Sequence, residues 1–263
     1  SSVRDLIVKD DVFVVWTHGR GFWILDDITP LRQVDARSAN QDAILFKPTT
    51  AWRVRWNTSV DMPWPKEEPT APNPPEGALI NYYLKSAAGG PVTLEILQQD
   101  GRLVRRYSSS DPVAAIPDPP AAPAPVYWYR PPQQLSTAAG MHRFAWDVHY
   151  QPLAGLVPGE GALGAVPTQL PIQAIPFNTV PAPTTPWVNP GTYVVKLTVD
   201  GKSYTQPIVV KQDPRVKTPA LAMQQVYALT SAAYYGAAEA RIAAARLGAV
   251  RQQLAKVQAQ GAV

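Results

Sequence analysis

Two adjacent carboxylates, Asp26 and Asp27, are of a residue type that could do chemistry. A carboxyl pair that cleaves a glycosidic bond must face across that bond, roughly 5 to 10 Å apart. Neighbours on an extended chain point to opposite faces, so this pair is ill-placed for that work. Asp27 also precedes Ile28-Thr29-Pro30, where an aspartate caps a turn. His18 and Arg20 lie in the Gly-flanked turn His18-Gly19-Arg20-Gly21. An imidazole and a guanidinium there suit an anionic or sugar ligand; the local alternative is that they organise the turn through backbone hydrogen bonds. The candidate ligand-binding residues are His18, Arg20 and Asp27.

His142, Asp147 and His149 form a second set. Asp147 and His149 share a face if a strand runs through them. As a metal site the set lacks ligands. Phe144 and Trp146, on the opposite parity from Asp147, mark a core face and leave the histidines near a sheet edge. No phosphate-binding loop or dinucleotide fingerprint occurs, and no G-x-S-x-G elbow. Ser108-Ser109-Ser110-Asp111 reads as a polar turn. We therefore expect no catalytic residue, no metal and no cofactor. The aromatics Trp52, Trp56, Trp64 and Tyr127-Trp128-Tyr129 lie in or near Pro-rich stretches. Aromatic faces stack on sugars or on Pro-rich peptide. They also anchor loops that have no core of their own, the reading we adopt.

The elements that must position these residues follow from composition and pattern. Twenty-nine prolines in 263 residues, with only 17% charged, argue against a compact helical domain and for short strands on long connections. Cysteine is absent, which excludes disulfides and Cys-ligated metal. The net charge of +4 is spread out, with Arg105-Arg106 the only adjacent basic pair, so a nucleic-acid-reading stripe is not expected. No apolar run reaches membrane-spanning length. The chain opens almost at once on strand-like sequence, and we expect the natural protein to begin well upstream.

Three strands are expected within residues 3–28: Val3 to Val8, Val12 to Thr17 and Gly21 to Leu25. Three such strands do not bury both faces alone. Residues 33–76 read as a Pro-rich connector, with edge strands at Leu45 to Pro48 and Ala51 to Trp56. Residues 77–213 carry alternating runs: Ala78 to Leu84, Pro91 to Leu97, Leu103 to Tyr107, Met141 to Asp147, Gly191 to Val199 and Tyr204 to Val210. Asp100-Gly101 and Asp200-Gly201 are hairpin turn signals. Pro-rich insertions interrupt this region at 109–139 and 151–189. Thr218-Pro219 starts a helix running from Ala220 to about Gln260, within 214–263. Val226, Leu229, Leu247, Val250, Leu254 and Val257, with Ala233, Gly236, Ala240 and Ala243 between them, recur at spacings of three and four. That is the seam of a helix packed on a partner, which is missing sequence, a second copy of the chain (self-association) or the sandwich itself.

Val3 to Val8, followed by Thr17-His18-Gly19-Arg20-Gly21-Phe22-Trp23-Ile24-Leu25-Asp26-Asp27-Ile28-Thr29-Pro30-Leu31-Arg32, resembles the last propeller blade of the bacterial BNR-repeat, sortilin-like proteins, many of them named glycosyl hydrolase-like. The Thr93 to Arg106 hairpin, Gly140 to Asp147 and Pro190-Gly191-Thr192-Tyr193 resemble the immunoglobulin-like module of the flagellar-hook FlgD type. The resemblance implies a mainly β architecture: closing blade strands at 1–32, a β-sandwich with long Pro-rich insertions, and a long C-terminal α-helix. It also implies export to the periplasm or beyond, and upstream blades or a companion polypeptide as partner. The family's Asp box is absent here, and its sialidase-like Arg, Tyr and acidic residues have no counterpart to transfer. The function expected is non-catalytic binding and scaffolding beside a propeller. The alternative is the rim of a glycoside hydrolase-like enzyme whose active site lies on the propeller.

Overall fold

The computed structural model describes residues 2–36, 38–54, 67, 77–113, 133–151 and 185–260. The chain is mainly β, with a long C-terminal helix. Half of the connector and most of both insertions, with Trp56, Trp64, Tyr127, Trp128 and Tyr129, lie outside the described residues.

The N-terminal ribbon is an antiparallel meander of β1 (Val3–Lys9), β2 (Val12–Thr17) and β3 (Phe22–Leu25), in that order across the sheet. Val, Ile and aromatic side chains favour the extended backbone of these runs. Asp10, at φ +55°, turns β1 into β2, and Gly19 and Gly21, both at positive φ, turn β2 into β3. The central strand is half-buried, whereas β1 and β3 are exposed along their length. One helical turn, α1 (Thr29–Arg32), follows.

Two further sheets share one core. Their strands are β4 (Ala43–Leu45), β5 (Ala51–Arg53), β6 (Ala78–Leu84), β7 (Thr93–Gln98), β8 (Leu103–Ser108), β9 (Gly140–Trp146), β10 (Gly191–Val199) and β11 (Lys202–Gln212). One sheet has the order β5-β11-β10-β7-β8, the other β4-β6-β9. All pairings are antiparallel except that of β5 with β11. The period of two places alternate residues inward. Leu94 and Ile96 of β7, and Tyr193, Val195, Leu197 and Val199 of β10, are buried from one sheet; Ile80, Tyr82, Phe144 and Trp146 are buried from the other. Phe144 meets Tyr107 at 4.6 Å between ring centroids, and Trp146 meets Tyr193 at 5.9 Å, both edge to face. Each fully buried large side chain contributes about 1.5–3 kcal/mol relative to exposure. The Asp200-Gly201 turn has both residues at positive φ, +47° and +77°, as a tight two-residue hairpin requires. Gly77, at φ +93°, lies so near the backbone of Trp146 that a Cβ would collide with its carbonyl oxygen. No other residue fits there.

The chain divides into two compact units, the first holding the strands of the described residues. The second contains α2 (Ala220–Gln260), together with Tyr150 and residues 185–189. The helix opens with Met223 N–H donating to the Pro219 carbonyl at 3.1 Å, as the Thr218-Pro219 start signal implies. Within this unit the Tyr150 ring stacks on Tyr227 at 5.4 Å, and Tyr150 N–H donates to the Pro186 carbonyl. Met223, Tyr227, Ser231 and Tyr234 are half-buried, while the seam residues Val226, Leu229, Leu247, Val250, Leu254 and Val257 are exposed.

Candidate functional site

The three ligand candidates do not converge. His18 and Arg20 sit in the loop joining β2 to β3, whereas Asp27 follows β3. The four residues of β3 separate them by about 13 Å, at about 3.3 Å per residue. His18 and Arg20 are exposed. Their turn is organised through the backbone: His18 N–H donates to the Ser2 carbonyl at 3.0 Å, and Thr17 donates to the Gly21 carbonyl from both N–H and hydroxyl. The two side chains are thus presented outward by a turn that does not use them.

Asp27 is only 4% exposed and its carboxylate is occupied on both oxygens. Its Oδ1 accepts from Thr29 N–H at 2.9 Å and Thr29 Oγ1 at 2.6 Å, the capping turn expected from sequence. Its Oδ2 accepts from Asn81 Nδ2 at 3.0 Å. Asn81 Oδ1 in turn accepts from Arg143 Nε at 2.9 Å, and Arg143 also donates to the Asp27 backbone carbonyl at 2.8 Å. This closed network ties the end of the ribbon to β6 and β9. Arg32 reinforces that end, donating to the Asp10 carbonyl and lying 3.5 Å from the Asp11 carboxylate. Asp26 is half-buried and stays outside the network. A carboxylate so enclosed, with a partner on each oxygen and almost no exposed surface, is a latch and is not presented to a ligand.

The second set also takes a different form from a continuous strand. The strand ends at Trp146, and Val148 adopts φ +53°, a left-handed value rare for a β-branched residue. The chain therefore folds back on itself: His149 N–H donates to Asp147 Oδ1, and His149 Nδ1 lies 2.6 Å from the Asp147 carbonyl. A carbonyl only accepts, so Nδ1 carries the proton. Burial pushes the imidazole below its usual value against the opposing pull of Asp147, so it is held neutral, with Arg105 and Arg53 adding to the depression. Trp146 Nε1 donates to the His149 carbonyl, fixing the bend onto the core. Arg105 lies over the Tyr107 ring at 5.0 Å, and burial raises the Tyr107 phenol far above its ordinary value. Arg53, Arg105 and Tyr107 thus join Asp147 and His149 in a polar cluster at one end of the two-sheet core. His142 stays apart, its Nε2 2.7 Å from the Ala138 carbonyl and its ring against Tyr82.

Among the described residues, no group of three or more His, Asp and Glu side chains could hold a metal ion. Nor is any helix of the described residues long and apolar enough to cross a membrane. Ser108 to Asp111 closes on itself, with Ser108 N–H donating to Asp111 Oδ2 at 2.6 Å. Trp52 is described at one sheet edge, 45% exposed, with the Lys211 ammonium 5.8 Å from its ring centre. No family model, curated protein or solved structure matches this chain.

Proposed function

We propose that this chain is a non-catalytic binding and scaffolding segment of an exported β-propeller protein of the BNR-repeat, sortilin-like kind. The ribbon supplies closing strands of a blade, and the two-sheet body, read as an immunoglobulin-like module of the FlgD type, docks beside the propeller. The observation that carries this reading is the ribbon's apolar surface. Phe22 and Ile24 occupy one face of β3, Trp23 and Leu25 the other, and all four are 40–66% exposed. Leu6, Ile7 and Val8 repeat the pattern on β1. A continuous apolar run of this kind belongs to a strand covered on both faces. Propeller blades have that need, because each four-stranded blade is packed between two neighbours. Both ribbon edges, β1 and β3, are also unpaired among the described residues. Within this reading His18 and Arg20 are the ligand-contact candidates, being exposed at one blade end, and Asp27 is the latch. The periplasmic or extracellular location belongs to the same reading.

Hydrogen exchange on the 263-residue chain tests it. The amides of β1 and β3 should exchange far faster than those of β6, β7 and β10. Adding back upstream blades, in cis or as a separate polypeptide, should slow the ribbon selectively. Equal protection of ribbon and body in a monomer would end the proposal.

A further inference from the structure

We infer that α2 pairs with α2 of a second copy of this chain, as an antiparallel two-stranded coil. The inference is independent of the propeller reading. A stripe of residues alternately three and four apart runs from Val226 to Val257, over four heptads. A strict seven-residue repeat is the seam of a coiled coil. Its six large members are 50–73% exposed. The helix's own cover lies elsewhere, on Met223, Tyr227, Ser231 and Tyr234. At 100° per residue the centre of that cover stands about 130° round the helix from the part of the stripe beside it, Val226 to Gly236, and farther from the rest. The stripe also contains Gly236, which costs about 1 kcal/mol relative to Ala inside a helix. A Cβ there would meet nothing within 4 Å, so its own chain gives no reason for the glycine. Nothing in the structure explains Gly248, off the stripe.

Shape and charge choose the occupant. The stripe is thin in its middle, from Ala233 to Ala243, and thick toward both ends. Antiparallel alignment over the full stripe sets Leu247 opposite the partner's Gly236, and Val250 opposite the partner's Ala233. The end layers then match Leu229 with the partner's Leu254, and the centre matches Ala240 with the partner's Ala243. Large meets small in the four layers that flank the two central ones, so the spacing grades from the large end layers to the small centre. Parallel in-register pairing instead sets four small layers directly beside four large ones, an abrupt step. Glu239 is the only acidic residue of α2. In the antiparallel register it flanks the seam facing the partner's Arg246, and two-fold symmetry makes the pair twice. In the parallel register Arg246 faces the partner's Arg251, a like-charge contact made twice. Flanking charges of this kind set orientation in coiled coils.

Light scattering on the full chain should give twice the 28.6 kDa of one copy. Leu247→Lys, at an exposed position, should halve that mass with helicity by circular dichroism unchanged. Glu239→Arg and Arg246→Glu should each weaken the dimer at least tenfold, and the two together should restore it. Because the chain has no cysteine, orientation can be read directly. A mixture of the single variants Ala233→Cys and Val250→Cys should cross-link on oxidation, and neither should cross-link alone. A monomeric mass for the parent chain, or self-linking by Ala233→Cys, overturns the inference. Association that survives Leu247→Lys but is lost in Trp23→Lys assigns the contact to the ribbon; that outcome refutes the helix pairing while leaving the propeller reading standing.

Discussion

Asn81 is the hinge pin of the latch, and removing it has a calculable effect. Its amide donates to the buried Asp27 carboxylate and its carbonyl accepts from Arg143, at 3.0 and 2.9 Å. A hydrogen bond to a charged group is worth about 1.5–3 kcal/mol when its partner is then left buried. Asp27 is so placed, so the first bond carries that full range. Arg143 is exposed and turns to water, which limits the second to about 0–1 kcal/mol. Asn81→Ala should therefore destabilise the chain by about 2–4 kcal/mol, a large share of the stability of an ordinary domain. Urea unfolding followed by tryptophan fluorescence reads this as a lower midpoint at unchanged slope.

The single change Asp27→Asn should be comparably harmful, for a geometric reason. The new amide keeps an oxygen for Thr29 but turns its nitrogen toward the Asn81 nitrogen, donor against donor. Flipping Asn81 only moves the mismatch to Arg143. The double exchange Asp27→Asn with Asn81→Asp repairs both contacts. The amide at position 27 donates to the new carboxylate at position 81, which also receives Arg143. The double variant should recover about 1–3 kcal/mol relative to the sum of the singles, the size of coupling expected for residues in one network. If the double variant is no more stable than the worse single, the network does not hold the ribbon as described.

Three other outcomes follow from the same geometry. Tyr82 donates its hydroxyl to the Ser136 carbonyl and accepts from Ser136 N–H, both at 2.8 Å, while burial pushes its phenol up to about 12; Tyr82→Phe should cost about 1–3 kcal/mol in urea unfolding. Trp146→Ala should cost about 3–5 kcal/mol, whereas Trp23→Ala, at a 63% exposed ring, should cost under about 1 kcal/mol in the chain alone; under the proposed function it should nevertheless weaken binding of propeller blades. Because burial holds the folded His149 below its ordinary 6.5, the unfolded chain binds the proton more readily; stability is full above about pH 6.5 and declines as pH falls toward the folded value, and His149→Gln should flatten that decline in urea midpoints taken from about pH 7 to about pH 5.

The strands were legible because their signals are local. Alternation at Tyr193, Val195, Leu197 and Val199 shows in any window of seven residues, and each of these side chains is buried. Asp-Gly pairs marked both hairpins, and Thr218-Pro219 marked the helix start. The latch was not legible, because its parts lie far apart in the chain. Asn81 is 54 residues from Asp27, and Arg143 is 116. One signal was available: Asn81 interrupts an otherwise apolar strand, although on the opposite parity from Ala78, Ile80, Tyr82 and Leu84, and a buried amide demands partners. Likewise Arg105 and Tyr107 share a face of β8 by simple alternation, but their meeting with Asp147 and His149 depends on the left-handed turn at Val148. A valine gives no warning of that conformation.

The contrast between two sets of large apolar side chains bears most directly on what the molecule does. Trp146 and Tyr82 are covered within the chain, and their hydroxyl and indole groups have partners. Trp23, Phe22 and Ile24, in a sequence no less apolar, are about two-thirds exposed. Three strands with both faces wet are marginal by themselves. The ribbon is nonetheless held in register, by paired backbone along β2 and by the Asp27 network and Arg32 at one end. Those polar contacts spend no apolar surface. They fix the ribbon's position while leaving its faces exposed, so the roughly 1.5–3 kcal/mol that each large side chain can yield on burial is not drawn on within the chain, as the proposed docking to a propeller requires. A ribbon folded for its own stability would do the reverse, turning Trp23 and Phe22 inward and leaving Asp27 in water.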